Sequence, residues 1–302
     1  LQSGKYDYVV VAGADVQSRF IISGFQSFKA LSPEECKPFD IDRCGLNLGE
    51  AAATIIYGRS ELMGNQWIAA SGAIRNDAYH ISGVSRTAEG SYRALRSVLG
   101  GVDVDDLALV NVHGTSTLYN DEMESKALAR AGLKDVPVNT LKGFYGHTMG
   151  AAGILEVILS MASIDDKMIL ATRGYSECGV SQPLNISNEN RDTDKRSFVK
   201  LLSGFGGCNA AIVMALESCS VNKYRSGASG WREIAAFELS GNSDFDNVIR
   251  EKYKELDMKD IKFFKMDGMS RLGVIGAASL LRIAGDLSET DPFNIGFMLS
   301  NN

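Results

Sequence analysis

Short apolar runs recur along the first two thirds of the chain, each bounded by glycine or polar residues. Tyr8 to Ala12, Ala51 to Tyr57, Trp67 to Gly72, Leu107 to Val112, Val136 to Asn139, Phe198 to Leu202 and Ala211 to Ala215 therefore read as strands. The helical period appears between them. Residues 86–99 carry Ala88, Tyr92, Leu95, Val98 and Leu99 on one face, and Asn120-Asp121-Glu122 supplies a helix start with acids in its first turn. A further helix is expected to open at His147. Its first residues, Gly150, Ala151, Ala152 and Gly153, are small enough for close approach to a neighbouring backbone, and Ile154, Leu155, Val157, Ile158 and Met161 bury it.

This pattern gives two of the histidines a place. His113 falls at the C-terminal end of the run Leu107 to Val112, where open α/β sheets present ligand sites. Lys142 lies in a glycine-punctuated loop after Val136 to Asn139, and His147 follows at the head of its helix. Phe198 to Ala215 reads as a hairpin with the tip Gly204-Phe205-Gly206-Gly207, whose glycines permit positive φ and bring backbone N–H groups near a ligand.

Composition excludes several functions. The 302 residues are 45% hydrophobic and 23% charged, ordinary for a soluble globular protein with a sizeable core. A net charge of −6 argues against nucleic acid or an anionic membrane as the main partner. No apolar run reaches the length of a membrane span, and the start lacks a signal-peptide pattern, so the cytoplasm is the expected compartment. Five scattered cysteines without a CxxC pair, and three histidines without HExxH spacing, suggest neither a disulfide framework nor a metal site.

His113-Gly-Thr-Ser-Thr, Lys142, Gly146-His147 with Gly-Ala-Ala-Gly behind it, and Gly204-Phe-Gly-Gly-Cys-Asn-Ala stand in an order that resembles the β-ketoacyl-acyl carrier protein synthases. The type resembled is the elongating one with two active-site histidines. The resemblance takes in Lys5 to Ala14, Pro38-Phe39-Asp40 and Gly49-Glu50-Ala51, and runs over roughly residues 1–217, mainly the family's C-terminal half. It implies an α/β thiolase-like fold of layered α-β-α-β-α build with mixed five-stranded sheets. Residues 1–218 would be the C-terminal-half-like portion and 219–230 a polar linker. Residues 231–302, with a helix Ser270 to Ala284 and a strand Ile295 to Leu299, resemble the beginning of an N-terminal half.

The reaction implied is a decarboxylative Claisen condensation between malonyl-carrier protein and an acyl thioester. His113 and His147 would donate to the enolate oxygen. Lys142 would set the electrostatics and histidine tautomers, and Glu156 would hold the lysine. Thr115 and Thr117 would bind the pantetheine arm, Phe205 would act as the gate with its backbone N–H contributing to the oxyanion hole for the acyl carbonyl, and Gly206 beside it would also bind substrate. The expected partners are acyl carrier protein, which brings its own phosphopantetheine, and a second copy or a complementary ketosynthase polypeptide; no cofactor is expected. No cysteine here has the family's strand-to-helix setting, and Leu1-Gln2-Ser3-Gly4 resembles the tail of the nucleophile's helix, so the nucleophile is expected outside this chain. A chain-length-factor or scaffold subunit is the alternative. A thiolase is a third reading, which Cys208 permits and the His113 motif opposes. His80, in Asp-Ala-Tyr-His, resembles the rim of the family's active site, with a loop-fixing hydrogen bond as its simpler role.

Overall fold

The computed structural model describes residues 1, 5–58, 67–216, 245–260, 262–266, 271, 274–276, 278, 279 and 282. The chain divides into two compact units, Leu1–Gly227 and Ala228–Asn302. The boundary lies inside the stretch 219–230, which is itself outside the described residues, as is the expected strand Ile295 to Leu299.

In the first unit, β1 (Tyr8–Asp15) pairs antiparallel with β2 (Ala51–Gly58), Val10 opposite Ile56. A six-stranded sheet contains β3 (Trp67–Asn76), β4 (Leu109–Asn111), β5 (Pro137–Asn139), β7 (Asn185–Ile186), β9 (Ser197–Gly204) and β10 (Cys208–Leu216). Their order across the sheet is β3-β10-β9-β4-β5-β7. β4 runs parallel to both neighbours, whereas β10 is antiparallel to β9 and β3, so the sheet is mixed. Six strands replace the expected five because the two-residue β7 adds at the β5 edge. A short ladder joins β6 (Met168–Ile169) to β8 (Arg191–Asp192).

Strand alternation sorts the core into two halves. Val110, Val199, Leu201 and Val213 point to one face, where they meet Leu95 and Val98 of α2 (Glu89–Val98) and Ala127 and Leu128 of α3 (Leu118–Arg130). Leu109, Phe198 and Met214 point to the other and meet Val157 and Ile164 of α5 (Ala152–Asp165), with Ile55 and Tyr57 of β2 behind. The layers therefore run helix, sheet, helix, sheet, which is four of the five expected. α1 (Arg19–Ser27) is capped by Ser18, whose hydroxyl accepts from the Ile21 N–H.

The small residues behind His147 have a packing cause. A Cβ on Gly13 of β1 would sit 2.5 Å from the Gly150 carbonyl oxygen, and one on Gly153 would sit 2.6 Å from Leu202 Cδ1. Bulkier residues would hold α5 away from the sheets on either side. The helix begins later than its sequence predicts, after a 3₁₀ turn at Met149–Ala151. Lys142, expected in a loop, sits in a one-turn helix, α4 (Lys142–Tyr145), closed by Gly146 at φ 79° whose N–H returns to the Lys142 carbonyl. The helix expected over 86–99 starts at Glu89, where Ser85 Oγ accepts from the Glu89 N–H.

In the second unit, α6 (Phe245–Glu255) and a 3₁₀ turn at Phe263–Lys265 gather Ile249, Phe263 and Ile275 into a small core. The described residues between 271 and 282 are helical, in line with the expected helix. Among the described residues no helix is long and apolar enough to cross a membrane.

Leu95 is fully buried between α2 and the sheet, so Leu95→Ala should lower unfolding free energy by about 2–5 kcal/mol. Denaturant unfolding measures this. A loss of less than about 0.5 kcal/mol, the range of surface substitutions, would contradict the assigned core.

Candidate active site

β4 ends at Asn111 in the middle of the sheet, and the chain then turns sharply, with Gly114 at φ 46° and Ser116 at φ 65°. The turn is held from below by two carboxylates three residues apart on one face of α3. Glu124 accepts from the His113 and Gly114 N–H groups, each at 2.7 Å. Asp121 accepts from Thr115 and Ser116 N–H at 3.1 and 3.2 Å, and from Phe39 N–H at 2.8 Å. Gly114 is required here for a second reason: a Cβ would sit 2.6 Å from the Thr140 side chain. Burial pushes the Asp121 carboxyl up to about 6, against the opposing pull of its backbone donors. Burial, then repulsion from Asp121, also raises Glu124.

His147 is placed by backbone. Its N–H donates to Asn47 O at 2.7 Å, and its carbonyl accepts from Gly49 N–H at 3.0 Å, which fastens it to the loop leading into β2. The Met149 N–H donates to Nδ1 of His147 at 3.2 Å, which assigns the ring proton to Nε2. The His113 and His147 rings meet edge to face, centroids 5.0 Å apart at 84°. Burial lowers the pKa of both imidazoles, His113 far below its usual value and His147 to about 3, and the positive charge of Lys142 adds to the effect. Both rings are therefore neutral at pH 7.

That positive charge belongs to a buried triad. Lys142 Nζ donates to Glu156 Oε1 at 2.6 Å, and Lys200 Nζ donates to Glu156 Oε2 and, at 3.1 Å, to the Val112 carbonyl. The three side chains are 0–2% exposed. Burial alone would raise the Glu156 pKa, but the two ammonium groups bring it below its usual value. Burial lowers Lys200, with Glu156 opposing.

A cavity of about 850 Å³ opens in front of the rings. His113, His147, Thr115, Thr117 and Phe205 line it together, whereas Lys142 and Glu156 are buried and do not line it. Thr115 and Thr117 pair through their hydroxyls at 3.0 Å. Phe205 stacks on Phe25 and Phe28 of the α1 segment, ring centroids 5.7 and 5.4 Å away. The Gly206 N–H donates to Ile81 O at 2.6 Å, which ties the hairpin tip to the loop after His80. His80 Nδ1 accepts from the Ser82 N–H at 3.2 Å, the loop-fixing role.

Cys44 and Cys208 line the same cavity, while Cys36 is buried, its thiol pKa raised by desolvation. None of the four described cysteines opens a helix. Among the described residues, no group of His, Cys, Asp or Glu is arranged to hold a metal ion.

Residues 67–176 match the family described as "Beta-ketoacyl synthase, C-terminal domain". A 3-oxoacyl-[acyl-carrier-protein] synthase 2 of Staphylococcus aureus is 30% identical over 233 residues, covering 70% of this chain and 57% of that protein. A β-ketoacyl synthase from Burkholderia phymatum STM815 superposes with a TM-score of 0.67 at 28% identity, over 71% of this chain and 56% of its own. A ketosynthase in complex with its chain length factor, from Xenorhabdus doucetiae, gives 0.66 and 28%, over 71% and 54%. The chain thus spans little more than half the length of these relatives. The resemblance lies on the C-terminal part of the β-ketoacyl synthases, and the fold is their thiolase-like α/β fold.

Asp121 supplies a pH test of the loop. Its folded midpoint of about 6 lies above the unfolded value of roughly 3.9. Its favourable contribution is therefore complete below about pH 4 and is lost as pH rises through 6. The unfolding free energy of the native chain relative to Asp121→Asn should fall steadily from pH 4 to 6. A difference that stays flat across that window contradicts the assignment.

Proposed function

From a stretch, residues 67–176, that matches the β-ketoacyl synthase C-terminal domain, we propose that this chain supplies the histidine half of a condensing site for decarboxylative Claisen condensation. The observation that carries the proposal is the pair of neutral imidazoles, 5.0 Å apart, at the wall of a largely apolar cavity. The malonyl thioester carbonyl sits between them. As the bond to the carboxylate breaks and carbon dioxide leaves, its electron pair moves onto the thioester, and the carbonyl oxygen becomes an enolate oxygen that takes hydrogen bonds from the imidazole N–H groups.

Neutral rings suit this task. An imidazolium would be acidic enough to protonate the enolate carbon's oxygen partner, whereas a neutral N–H stabilises charge without giving up its proton. The tautomer of His147, Nδ1 accepting and Nε2 protonated, aims a donor into the site. The enolate carbon then attacks the acyl thioester, the new carbon–carbon bond forms, and a cysteine thiolate leaves. The Thr115 and Thr117 hydroxyls receive the pantetheine arm, and Phe205 opens and closes the acyl side of the cavity.

The acyl-bearing cysteine lies outside this chain on this reading, in a further segment or a complementary ketosynthase polypeptide. Residues 231–302 would be the beginning of an N-terminal-half-like portion. Acyl carrier protein delivers both substrates in the cytoplasm, and pairing is with a second copy or with that complementary polypeptide. The likeness to a ketosynthase in complex with its chain length factor favours a second reading, a non-catalytic partner subunit. The ordered imidazole pair backed by Lys142 weighs against it, because a scaffold has no use for enolate donors.

His113→Ala or His147→Ala should each slow carbon dioxide release from malonyl-carrier protein by roughly a hundredfold or more, the usual loss for an oxyanion donor. Near-native release in both variants would reject the condensing role in favour of the partner subunit.

A further inference from the structure

Lys200 has no part in the reading of the motifs, yet it is among the largest fully buried side chains of the chain. It stands in the central part of β9, in parallel register with Asn111 of β4, on a strand whose neighbours Val199 and Leu201 are buried apolar residues. Burying an ammonium there costs several kcal/mol before its partners offset it. An apolar side chain would pack at that position without the penalty. What the lysine does instead is reach the last carbonyl before His113 and the second oxygen of Glu156.

We infer that Lys200 is a positioning residue of the histidine pair, its ammonium joining the Val112 carbonyl to the Glu156 carboxylate so that the peptide leading into His113 and the Lys142–Glu156 pair are held as one unit. The His113 segment is otherwise held from α3, through Glu124 and Asp121, and from the β5 side, where Asn139 O accepts from the Val112 N–H at 2.9 Å and the Thr140 hydroxyl donates to the Gly114 carbonyl at 3.2 Å. Lys200 adds a hold from β9, on the opposite flank of β4. It also makes the triad net positive, two ammonium groups to one carboxylate, next to both rings. The charged groups that bear on those rings are Lys142 from α4, Glu156 from α5 and Lys200 from β9, His147 bears on His113, and Glu124 of α3 accepts from the His113 backbone N–H. Lys142 and Lys200 both act to keep the imidazoles uncharged.

The inference rests on reading the two histidines as a working pair, but its test needs no substrate. In the full chain, Lys200→Met should raise the imidazolium fraction of His113 or His147 at pH 5 by about tenfold, the effect of one pKa unit, followed by side-chain NMR. Amide exchange at His113 should accelerate by at least about tenfold while that at Leu95 stays within the global loss of stability. Unchanged imidazole signals together with His113 exchange that merely tracks Leu95 would overturn the proposal and leave Lys200 as core filling. Should the variant not fold, the native chain gives the same test. Raising the pH from 7 to 10 deprotonates Lys200, whose pKa burial lowers, and His113 exchange corrected for base catalysis must then accelerate. A corrected rate that stays constant overturns the proposal. Imidazole signals that move while malonyl decarboxylation is absent would refute the condensing role and keep Lys200 as assigned.

Discussion

The first unit depends on one carboxylate. Glu156 lies within α5, sealed between two sheets, and receives an ammonium on each oxygen. Three charges in a dry core are stable only as a set, because removing one partner of such an arrangement leaves an unpaired buried charge and costs roughly 3–5 kcal/mol. The three members come from three elements, α4, α5 and β9, so their mutual attraction fixes how those elements meet. The α4 turn that carries Lys142 ends two residues before His147, and β9 borders β4, whose last residue, Asn111, lies two residues before His113. The charge arrangement therefore ties together the elements that carry the two rings, and its positive charge adds to burial in keeping them uncharged.

Packing makes that arrangement possible. α5 approaches β1 on one side and β9 on the other closely enough that Gly13 and Gly153 have no room for a side chain. The closeness places Glu156 where a lysine from the sheet can reach it. On the far face of the sheet, α3 offers Asp121 and Glu124 to four consecutive N–H groups from His113 to Ser116. Those groups lie in a tight left-handed turn with no strand partner, and without the acids they would be buried donors left unsatisfied. The site thus has a positively charged support behind the rings and a negatively charged one beneath the loop.

Much of this was legible in the sequence. The strand that leads to His113, the small-residue helix after His147, and the glycine hairpin with Phe205 at its tip all follow from period and punctuation, whereas the one-turn helix that carries Lys142 read as a loop. The pairing of Lys142 with Glu156, implied by the family resemblance, is present as a 2.6 Å contact. Lys200 was not legible, because a single charged residue in an apolar strand most often marks a solvated edge, and β9 is internal to the sheet. A lysine flanked by Phe198, Val199, Leu201 and Leu202 was nevertheless the available signal. Asp121 read as an ordinary first-turn acid, and Glu124 carried no reading of its own. Their spacing with Leu128, at i, i+3 and i+7, puts them on the buried face of α3, where acids need partners. The hydrogen bond from the Gly206 N–H to Ile81 is a contact between segments far apart in sequence, beyond the reach of local pattern.

The account reduces to the state of two rings. A long-range proton–nitrogen correlation spectrum of the histidine side chains of the full chain at pH 7 reports that state directly. His113 and His147 should both be uncharged, with His147 carrying its proton on Nε2 because Nδ1 accepts from the Met149 N–H. An imidazolium at either position, or a His147 protonated on Nδ1, would contradict it.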